Sequence, residues 1–315
     1  MTRDGLPAVV AFGGGHGLSA ALQALRRVTD KLTAVVTVAD DGGSSGRLRR
    51  DFGCLPPGDL RMALAALCGD DTEGRLWAKV LQSRFEGSGD LAGHALGNLL
   101  IVGLWQQDVD PVVGLDRVGR LLGAAGRVLP MSTEPLLIRG QVRGCEQDRP
   151  DAVVVVEGQA NVAVTPGQVL SIQLSPSDPP VHPAVLAAVA EADWLVFGPG
   201  SWFTSVVPHL LVPQLAEAIR SSPARRLVIL NLQRSGETAE YTASEHLDVL
   251  AGYAPGLVFD AVVADPAFAV EDPGLADRAG RLGGRLIVAP VGQADGSPRH
   301  DPLLLAATLA RAMGL

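Results

Sequence analysis

Short, nearly continuous apolar runs alternate along the chain with longer segments whose apolar residues recur every three or four positions. The runs predict buried strands of a parallel sheet, and the longer segments predict helices on its faces. The predicted strands are residues 8–12, 32–39, 194–197, 227–232, 260–264 and 286–291. The predicted helices include residues 18–28, 60–68, 77–85, 93–105, 182–191, 242–250 and 302–313. This alternation predicts a Rossmann-like α/β fold, with a doubly wound, mostly parallel sheet in three α/β/α layers.

Residues 127–174 have a different pattern. Val-rich runs at 136–142, 152–156 and 161–164 are broken by Gly, Pro and Asp, which predicts short and partly antiparallel strands. We therefore expect residues 1–315 to form a single α/β domain, with a small β-rich insertion at about 127–174 between its two halves.

Composition limits the classes of function. The net charge of −8 argues against a general nucleic-acid binder, whose affinity comes largely from neutralising phosphates. Only Lys31 and Lys79 are lysines, so a cationic contact to phosphate is expected from Arg. The three cysteines have no metal-binding spacing, and neither a signal pattern nor a membrane-spanning run is visible. These features predict a cytoplasmic protein with no membrane span.

Two glycine-rich turns follow predicted strands and open helical segments. They contain Gly13, Gly14, Gly15, His16 and Gly17 in the first turn and Gly198, Gly200, Ser201 and Thr204 in and after the second. Backbone N–H groups are free at a helix start and the helix dipole is positive there, so either turn is a candidate anion site. The first is no dinucleotide fingerprint, because Leu18 stands where the last glycine is required. A tight turn without a ligand is the alternative, and His16 is either a phosphate contact or a surface residue.

A second group of candidates follows the strand at 32–39. Asp40 and Asp41 suit ribose hydroxyls, a Mg²⁺ ion bridging a diphosphate, or a general base, and alternatively they only cap the glycine turn after them. Ser44, Ser45 and Arg47 lie in the same predicted polar loop, residues 40–50. Hydroxyls and Arg side chains beside two acids are typical of a site for a hydroxyl-rich, phosphorylated ligand.

Further polar candidates lie outside these turns. Asp59 is either a ligand contact or the N-cap of its helix, and Arg61 is a candidate phosphate contact. His94 and Asn98 are four residues apart on one predicted helix, which places them on the same face for ligand contact or structural hydrogen bonding. Asn231 ends its strand at the same edge of the sheet. Ser201 is not expected to be a hydrolase nucleophile, because Gly-x-Ser-x-Gly is absent.

The motifs, taken in order, resemble those of one family over roughly residues 8–265. They are Gly13-Gly-Gly-x-Gly-Leu-Ser19, Thr37-Val-Ala-Asp-Asp-Gly-Gly-Ser-Ser-Gly-Arg-Leu-Arg49, Pro56-Pro-Gly-Asp-x-Arg61, Gly93-His-x-Leu-Gly-Asn-Leu-Leu100, Gly198-Pro-Gly-Ser-x-x-Thr-Ser-Val206 and Tyr241-Thr-Ala-Ser-x-His246. They resemble the YvcK family, the gluconeogenesis factors, within the superfamily of 2-phospho-L-lactate transferase (CofD).

The resemblance implies a cytoplasmic, non-enzymatic regulator of cell shape and cell-wall precursor metabolism. It implies binding of a UDP-sugar, UDP-N-acetylglucosamine or UDP-glucose, with Mg²⁺ at Asp40 and Asp41 as the candidate metal. A homo-oligomer, such as a dimer, and a regulatory protein partner are expected. The alternative is a Mg²⁺-dependent phospholactyl transferase acting on a deazaflavin precursor.

Two positions depart from the family pattern. His16 stands where many members have Thr, and Gln233-Arg234-Ser235 replaces a Met-Thr-Gln-Asn type of sequence. The first change removes a hydroxyl contact to phosphate, and the second alters a loop expected to lie over the ligand. His16 and Arg234 offer phosphate contacts of their own.

Overall fold

The computed structural model describes residues 5–107, 110–146, 148–234 and 236–315. Its strands are β1 (Val9–Gly13), β2 (Leu32–Val36), β3 (Arg127–Pro130), β4 (Leu137–Arg143), β5 (Val153–Glu157), β6 (Gln168–Ser175), β7 (Trp194–Phe197), β8 (Arg225–Ile229), β9 (Ala261–Ala264) and β10 (Arg285–Val288).

The helices are α1 (Gly15–Leu25), α2 (Gly43–Phe52), α3 (Gly58–Leu67), α4 (Thr72–Gln82), α5 (Leu96–Trp105), α6 (Pro111–Leu122), α7 (Gln159–Ala163), α8 (Pro183–Glu191), α9 (Pro208–Leu211), α10 (Pro213–Ser221), α11 (Ala243–Tyr253), α12 (Pro266–Val270), α13 (Leu275–Arg281) and α14 (Pro302–Met313). A π-helical turn lies at Trp202–Val206 and a 3₁₀ turn at Gly236–Thr238.

The central sheet has seven parallel strands in the order β10-β9-β8-β7-β1-β2-β3. The chain builds one half outward from β1 and then returns to build the other half outward from β7, which pairs with β1. The strand order therefore reverses between β1 and β7, and ligands of open α/β sheets bind at such a switch point. This arrangement confirms the predicted Rossmann-like α/β fold.

Buried apolar side chains hold the helices to this sheet. Phe12 of β1 stacks on Phe197 of β7 with ring centroids 5.0 Å apart, and Phe259 meets Phe197 edge-on at 5.8 Å. On α1, Leu18 and Leu22 recur four residues apart and are both fully buried, as the helical period requires. The packing fixes the carboxyl ends of β1 and β7, and hence the turns after them.

A small antiparallel sheet, ordered β5-β4-β6, lies in the predicted insertion. The expected start of the insertion at residue 127 differs from the structure, because Arg127–Pro130 pairs in parallel with β2 and belongs to the central sheet. The predicted strand at 161–164 is wrong, since these residues fall in and just after α7, whose start follows Gly158 with φ +94°. Buried residues of the small sheet, such as Ile138 and Ile172, join the same core as the central sheet.

Two further local predictions need correction. The predicted loop at 40–50 is helical from Gly43, so Ser44, Ser45 and Arg47 lie on α2. The helix predicted from residue 93 begins at Leu96, because Ala95 pairs with Arg84 in an isolated antiparallel bridge. Over the described part of the chain, no helix combines the length and apolar character needed to cross a membrane.

Candidate functional site

The two predicted glycine turns touch at the switch point of the sheet. A methyl group at Gly17 would lie 2.2 Å from the carbonyl oxygen of Pro199 and 2.5 Å from Cα of Gly200. Only glycine permits this approach of two backbones. Asn231, at the end of β8, holds the second turn through both polar groups of Gly200, accepting its N–H at 2.9 Å and donating to its C=O at 3.0 Å.

The contacting turns form part of the wall of a cavity of about 800 Å³. The structure brings about half of the predicted site residues to this wall. They are Gly14, Gly15, His16, Gly17, Asp40, Asp59, Gly200, Ser201, Thr204 and Asn231. Gly13 and Gly198 belong to the two turns but do not line the cavity, and their φ angles are +158° and +73°.

The remaining predicted residues lie elsewhere. Ser44 receives a hydrogen bond from Nδ2 of Asn98 at 3.0 Å and its hydroxyl lies 3.0 Å from Nδ1 of His94. This buried network packs α2 against α5, so His94 and Asn98 take the structural alternative considered for them, although His94 precedes the helix. Ser45 packs against Gly58, where a methyl group would lie 2.4 Å from its hydroxyl.

Neither predicted arginine reaches the cavity wall. Arg47 donates to the carbonyl oxygen of Ala92 at 2.8 Å. Arg61 is buried on α3, and burial together with nearby Arg84 lowers its pKa to about 10. Neither of them therefore contributes a positive charge to the cavity wall. Among the described lining residues Arg299, which is exposed at the rim, is the only Arg or Lys.

Asp59 lies at the start of α1 although it belongs to the first turn of α3. Its Oδ2 accepts the Thr37 hydroxyl at 3.1 Å, and the N–H of Gly15 also stabilises the carboxylate. Burial, reinforced by the neighbouring Asp40, raises the pKa of Asp59 to about 6 against these hydrogen bonds. The predicted N-cap role is wrong, because the N-cap of α3 is Pro57. Asp59 instead occupies part of the positive end of α1.

The two predicted metal ligands, Asp40 and Asp41, form hydrogen bonds with different parts of the backbone. Oδ1 of Asp40 accepts the N–H of Gly42 at 3.0 Å, which is the turn-capping alternative, and the side chain also lines the cavity. Oδ1 of Asp41 accepts the N–H of Ala160 at 3.0 Å and so holds the start of α7. No cluster of three or more His, Cys, Asp or Glu able to hold a metal occurs among the described residues. Each carboxylate thus uses one oxygen to hold a backbone N–H group, and Mg²⁺ at Asp40 and Asp41 stays a prediction.

Several wall residues were not anticipated from the sequence. Glu237 is buried, and its Oε1 accepts the N–H groups of Phe203 at 2.7 Å and Thr204 at 3.2 Å. Burial raises the pKa of Glu237 to about 7, against the effect of these two donors. Gln159 donates from Nε2 to the carbonyl oxygen of Thr204 at 3.3 Å. His300 is also buried on the wall, and burial lowers its pKa to about 4.

Of the positions that depart from the family pattern, His16 and Gln233 line the cavity. Arg234 does not, and its Nε lies 3.8 Å from the carboxylate of Glu271. Ser235 lies outside the described residues. The altered loop therefore contributes its first residue to the wall.

The sequence profile of the 2-phospho-L-lactate transferase CofD family matches residues 9–279. The chain belongs to the CofD family. The gluconeogenesis factor of Halalkalibacterium halodurans is 39% identical over 81% of this chain and 76% of its own length. That of Bacillus subtilis is 37% identical over 78% of this chain and 74% of its own length. Within the CofD family, the chain belongs with the gluconeogenesis factors (YvcK).

Two further similarities extend along nearly all of the chain. A relative from Mycobacterium tuberculosis is 51% identical over 96% of this chain and 89% of its own length. A crystal structure of a Bacillus halodurans protein matches with a TM-score of 0.83 and 33% identity, covering 98% of this chain and 99% of that one. Both matches cover more of the chain than the family profile, which ends at residue 279.

Proposed function

We propose that this CofD-family member binds a nucleotide sugar, UDP-N-acetylglucosamine or UDP-glucose, as a cytoplasmic regulator of cell shape and cell-wall precursor metabolism. The observation that carries the proposal is the contact between the two glycine turns on the wall of the cavity at the sheet's switch point. Its volume of about 800 Å³ falls in the range typical of small-molecule sites. The names of the curated relatives support the gluconeogenesis-factor part of the proposal.

The charges of the wall suit a ligand with both phosphate and hydroxyl groups. The N–H groups of His16 and Gly17 in the first turn of α1 lack helical partners, and Arg299 adds a positive charge at the rim. Carboxylate, amide and hydroxyl groups of Asp40, Asn231 and Ser201 offer hydrogen bonds to ribose or sugar hydroxyls. A nucleotide sugar combines these two kinds of group in one molecule.

Calorimetric titration with UDP-N-acetylglucosamine tests the proposal. We expect saturable binding that Gly14→Ala weakens by at least about tenfold, or about 1.4 kcal/mol. The added methyl group would lie 2.4 Å from Oδ2 of Asp59 and displace the wall. The matched control is Gly103→Ala on α5, where a methyl group meets nothing within 4 Å. Absence of binding by any UDP-sugar at millimolar concentration would refute the proposal.

The second candidate is a transferase acting on a deazaflavin precursor. The matching family profile, which carries the transferase's description, favours it, as does the presence of Asp40 and Asp59 on the same wall. The protein would be incubated with the precursor, an activated phospholactyl donor and Mg²⁺, and the products analysed by mass spectrometry. Formation of the phospholactyl product would replace the regulatory proposal by an enzymatic one.

We also propose that the protein forms a homo-oligomer, such as a dimer. A regulatory protein partner would bind the ligand-bound and ligand-free forms with different affinities. Size-exclusion chromatography with light scattering, with and without UDP-N-acetylglucosamine, measures the first part. A monomer under both conditions would contradict it.

A further inference from the structure

One part of the cavity wall carries buried oxygen atoms that the protein does not use. Oε2 of Glu237 and Oε1 of Gln159 are both buried, and neither has a hydrogen-bond partner among the described residues. Both residues line the cavity. An unpaired buried acceptor costs about 1–3 kcal/mol. Two such atoms on one wall therefore call for hydrogen-bond donors supplied by a ligand.

The two side chains are both hydrogen-bonded to the main chain of Thr204, on the two peptide groups that flank its Cα. Glu237 accepts the N–H of Thr204 through Oε1, and Gln159 donates to the C=O of Thr204 through Nε2. Each side chain thus binds the main chain of Thr204 through one polar atom. This leaves Oε2 of Glu237 and Oε1 of Gln159 without a partner among the described residues. The Thr204 hydroxyl, which lies beside the Glu237 carboxyl group, is a further buried polar atom on this wall without a hydrogen-bond partner among the described residues. Each of the two unpaired oxygens is consequently held in place before a ligand arrives.

The elements that carry these side chains are themselves anchored. Gln159 is the first residue of α7, and Asp41 holds that helix by accepting the N–H of Ala160 at 3.0 Å. Glu237 lies in the 3₁₀ turn and also accepts the N–H of Phe203 at 2.7 Å. Preorganised acceptors lose little conformational entropy on binding, so they can discriminate between ligand groups.

The chemistry of the free atoms selects the ligand group. Oε1 of Gln159 only accepts, whereas Oε2 of Glu237 accepts when the carboxyl group is ionised and donates when it is protonated, because the pKa of Glu237 is raised to about 7. A phosphate presents only acceptor oxygens and so cannot pair with Oε1 of Gln159, and the pairing edge of uracil places carbonyl oxygens on both sides of its single N–H. Sugar hydroxyls, in contrast, are donors spaced along a ring, and each can donate to one acceptor. Of the four parts of a UDP-sugar, only the ribose and the hexose carry such hydroxyl groups, and the hexose carries more of them than the ribose.

We propose that Glu237 and Gln159 form the sugar-binding end of the cavity. Oε2 of Glu237 and Oε1 of Gln159 accept hydrogen bonds from hydroxyl groups of the hexose of the UDP-sugar. This inference rests on the proposed function and assigns the direction in which the ligand lies. The sugar contacts the Glu237–Gln159 wall, and the diphosphate lies between this wall and the uridine.

The test compares UDP-N-acetylglucosamine, UDP-glucose and UDP as calorimetric ligands. The titrations are run at pH 8, where most of the Glu237 carboxyl group is ionised. Glu237→Gln keeps the size of the side chain and an oxygen for the Phe203 and Thr204 N–H groups, but it replaces the free acceptor by an NH₂ donor. We expect this variant to bind both UDP-sugars at least about tenfold more weakly while its affinity for UDP stays unchanged. The matched control is Glu240→Gln, an exposed carboxylate three residues away.

A second variant and two opposing outcomes keep the inference separate from the proposed function. Gln159→Met removes the other free acceptor at similar size, and we expect it to weaken the UDP-sugars but not UDP. Two results would overturn the sugar-binding assignment when the wild type binds UDP-sugars. In one, a variant loses affinity for UDP as much as for the UDP-sugars, and in the other, it binds UDP and the UDP-sugars as tightly as the wild type does. If the wild type binds neither UDP nor a UDP-sugar, the proposed function itself fails. Thermal unfolding of each variant confirms that it is folded.

Discussion

The buried carboxyl group of Glu237 makes a strong prediction about the pH dependence of stability. Burial raises its pKa from 4.5 to about 7 in the folded protein, so the folded state binds this proton more tightly than the unfolded chain. The stabilising effect of the proton is therefore complete below about pH 4.5 and is lost as the pH rises to about 7. Since each pH unit between the two pKa values is worth about 1.4 kcal/mol, the loss amounts to about 3 kcal/mol.

The assay is denaturant unfolding of the wild type and of Glu237→Gln at a series of pH values from 5 to 8. Other buried groups also titrate, since the pKa of Asp59 is raised to about 6 and those of His209 and His300 are lowered to about 4. They are common to both proteins, so their effects cancel in the difference between the two free energies of unfolding. We expect that difference to move in favour of Glu237→Gln by about 3 kcal/mol as the pH rises.

A difference that stays constant across this pH range would refute the reasoning, because it would mean that Glu237 has the same pKa in both states. A difference that moves in favour of the wild type would mean that the carboxylate is stabilised in the fold rather than desolvated. Glu240→Gln serves as the control for the charge change, and its free energy of unfolding should run parallel to that of the wild type at every pH.

Three further predictions follow from the site geometry. Gly17→Ala should lower the free energy of unfolding by about 1–3 kcal/mol, because its methyl group would meet the Pro199 carbonyl, whereas Gly252→Ala, in open space on α11, should not. Asn231→Ala should cost about 1–3 kcal/mol in denaturant unfolding by removing both hydrogen bonds to the second glycine turn. Arg299→Ala should weaken UDP-N-acetylglucosamine binding by about fivefold and reduce its dependence on salt, measured by calorimetry at two ionic strengths. An unchanged free energy of unfolding would contradict the predictions for Gly17→Ala and Asn231→Ala, and an unchanged affinity would contradict the prediction for Arg299→Ala.

The parts of the molecule that could be predicted are those encoded within a few neighbouring residues. Continuous apolar runs marked the central strands, and glycines directly after two of them marked the turns that meet at the switch point. The helix predicted at 242–250 is α11 (Ala243–Tyr253), which Thr242 caps through a capping box with Glu245. In each case the signal and the structure are local, so a short stretch of sequence is sufficient.

The parts that were missed depend on contacts between distant segments. Glu237 and Gln159 are 78 residues apart and meet only because both bind the main chain of Thr204. His94 leaves the predicted helix because its neighbour Ala95 pairs with Arg84. Arg47 and Arg61 fitted the expectation of a cation beside phosphate, but nothing in their own sequence showed that tertiary packing would turn them away from the cavity.

The position of Asp59 further restricts how a diphosphate can bind. Its carboxylate already takes the N–H of Gly15 and lies beside Asp40, so negative potential is concentrated at the first residue of α1. A diphosphate placed there would meet two acids at close range, which Coulomb repulsion in a partly buried site opposes. The N–H groups of His16 and Gly17 lie further from this pair along the helix, and Arg299 is the cation on the described wall. If the protein binds the proposed ligand, its diphosphate should therefore lie towards Gly17 and Arg299, which would leave the two acids to accept hydrogen bonds from hydroxyl groups.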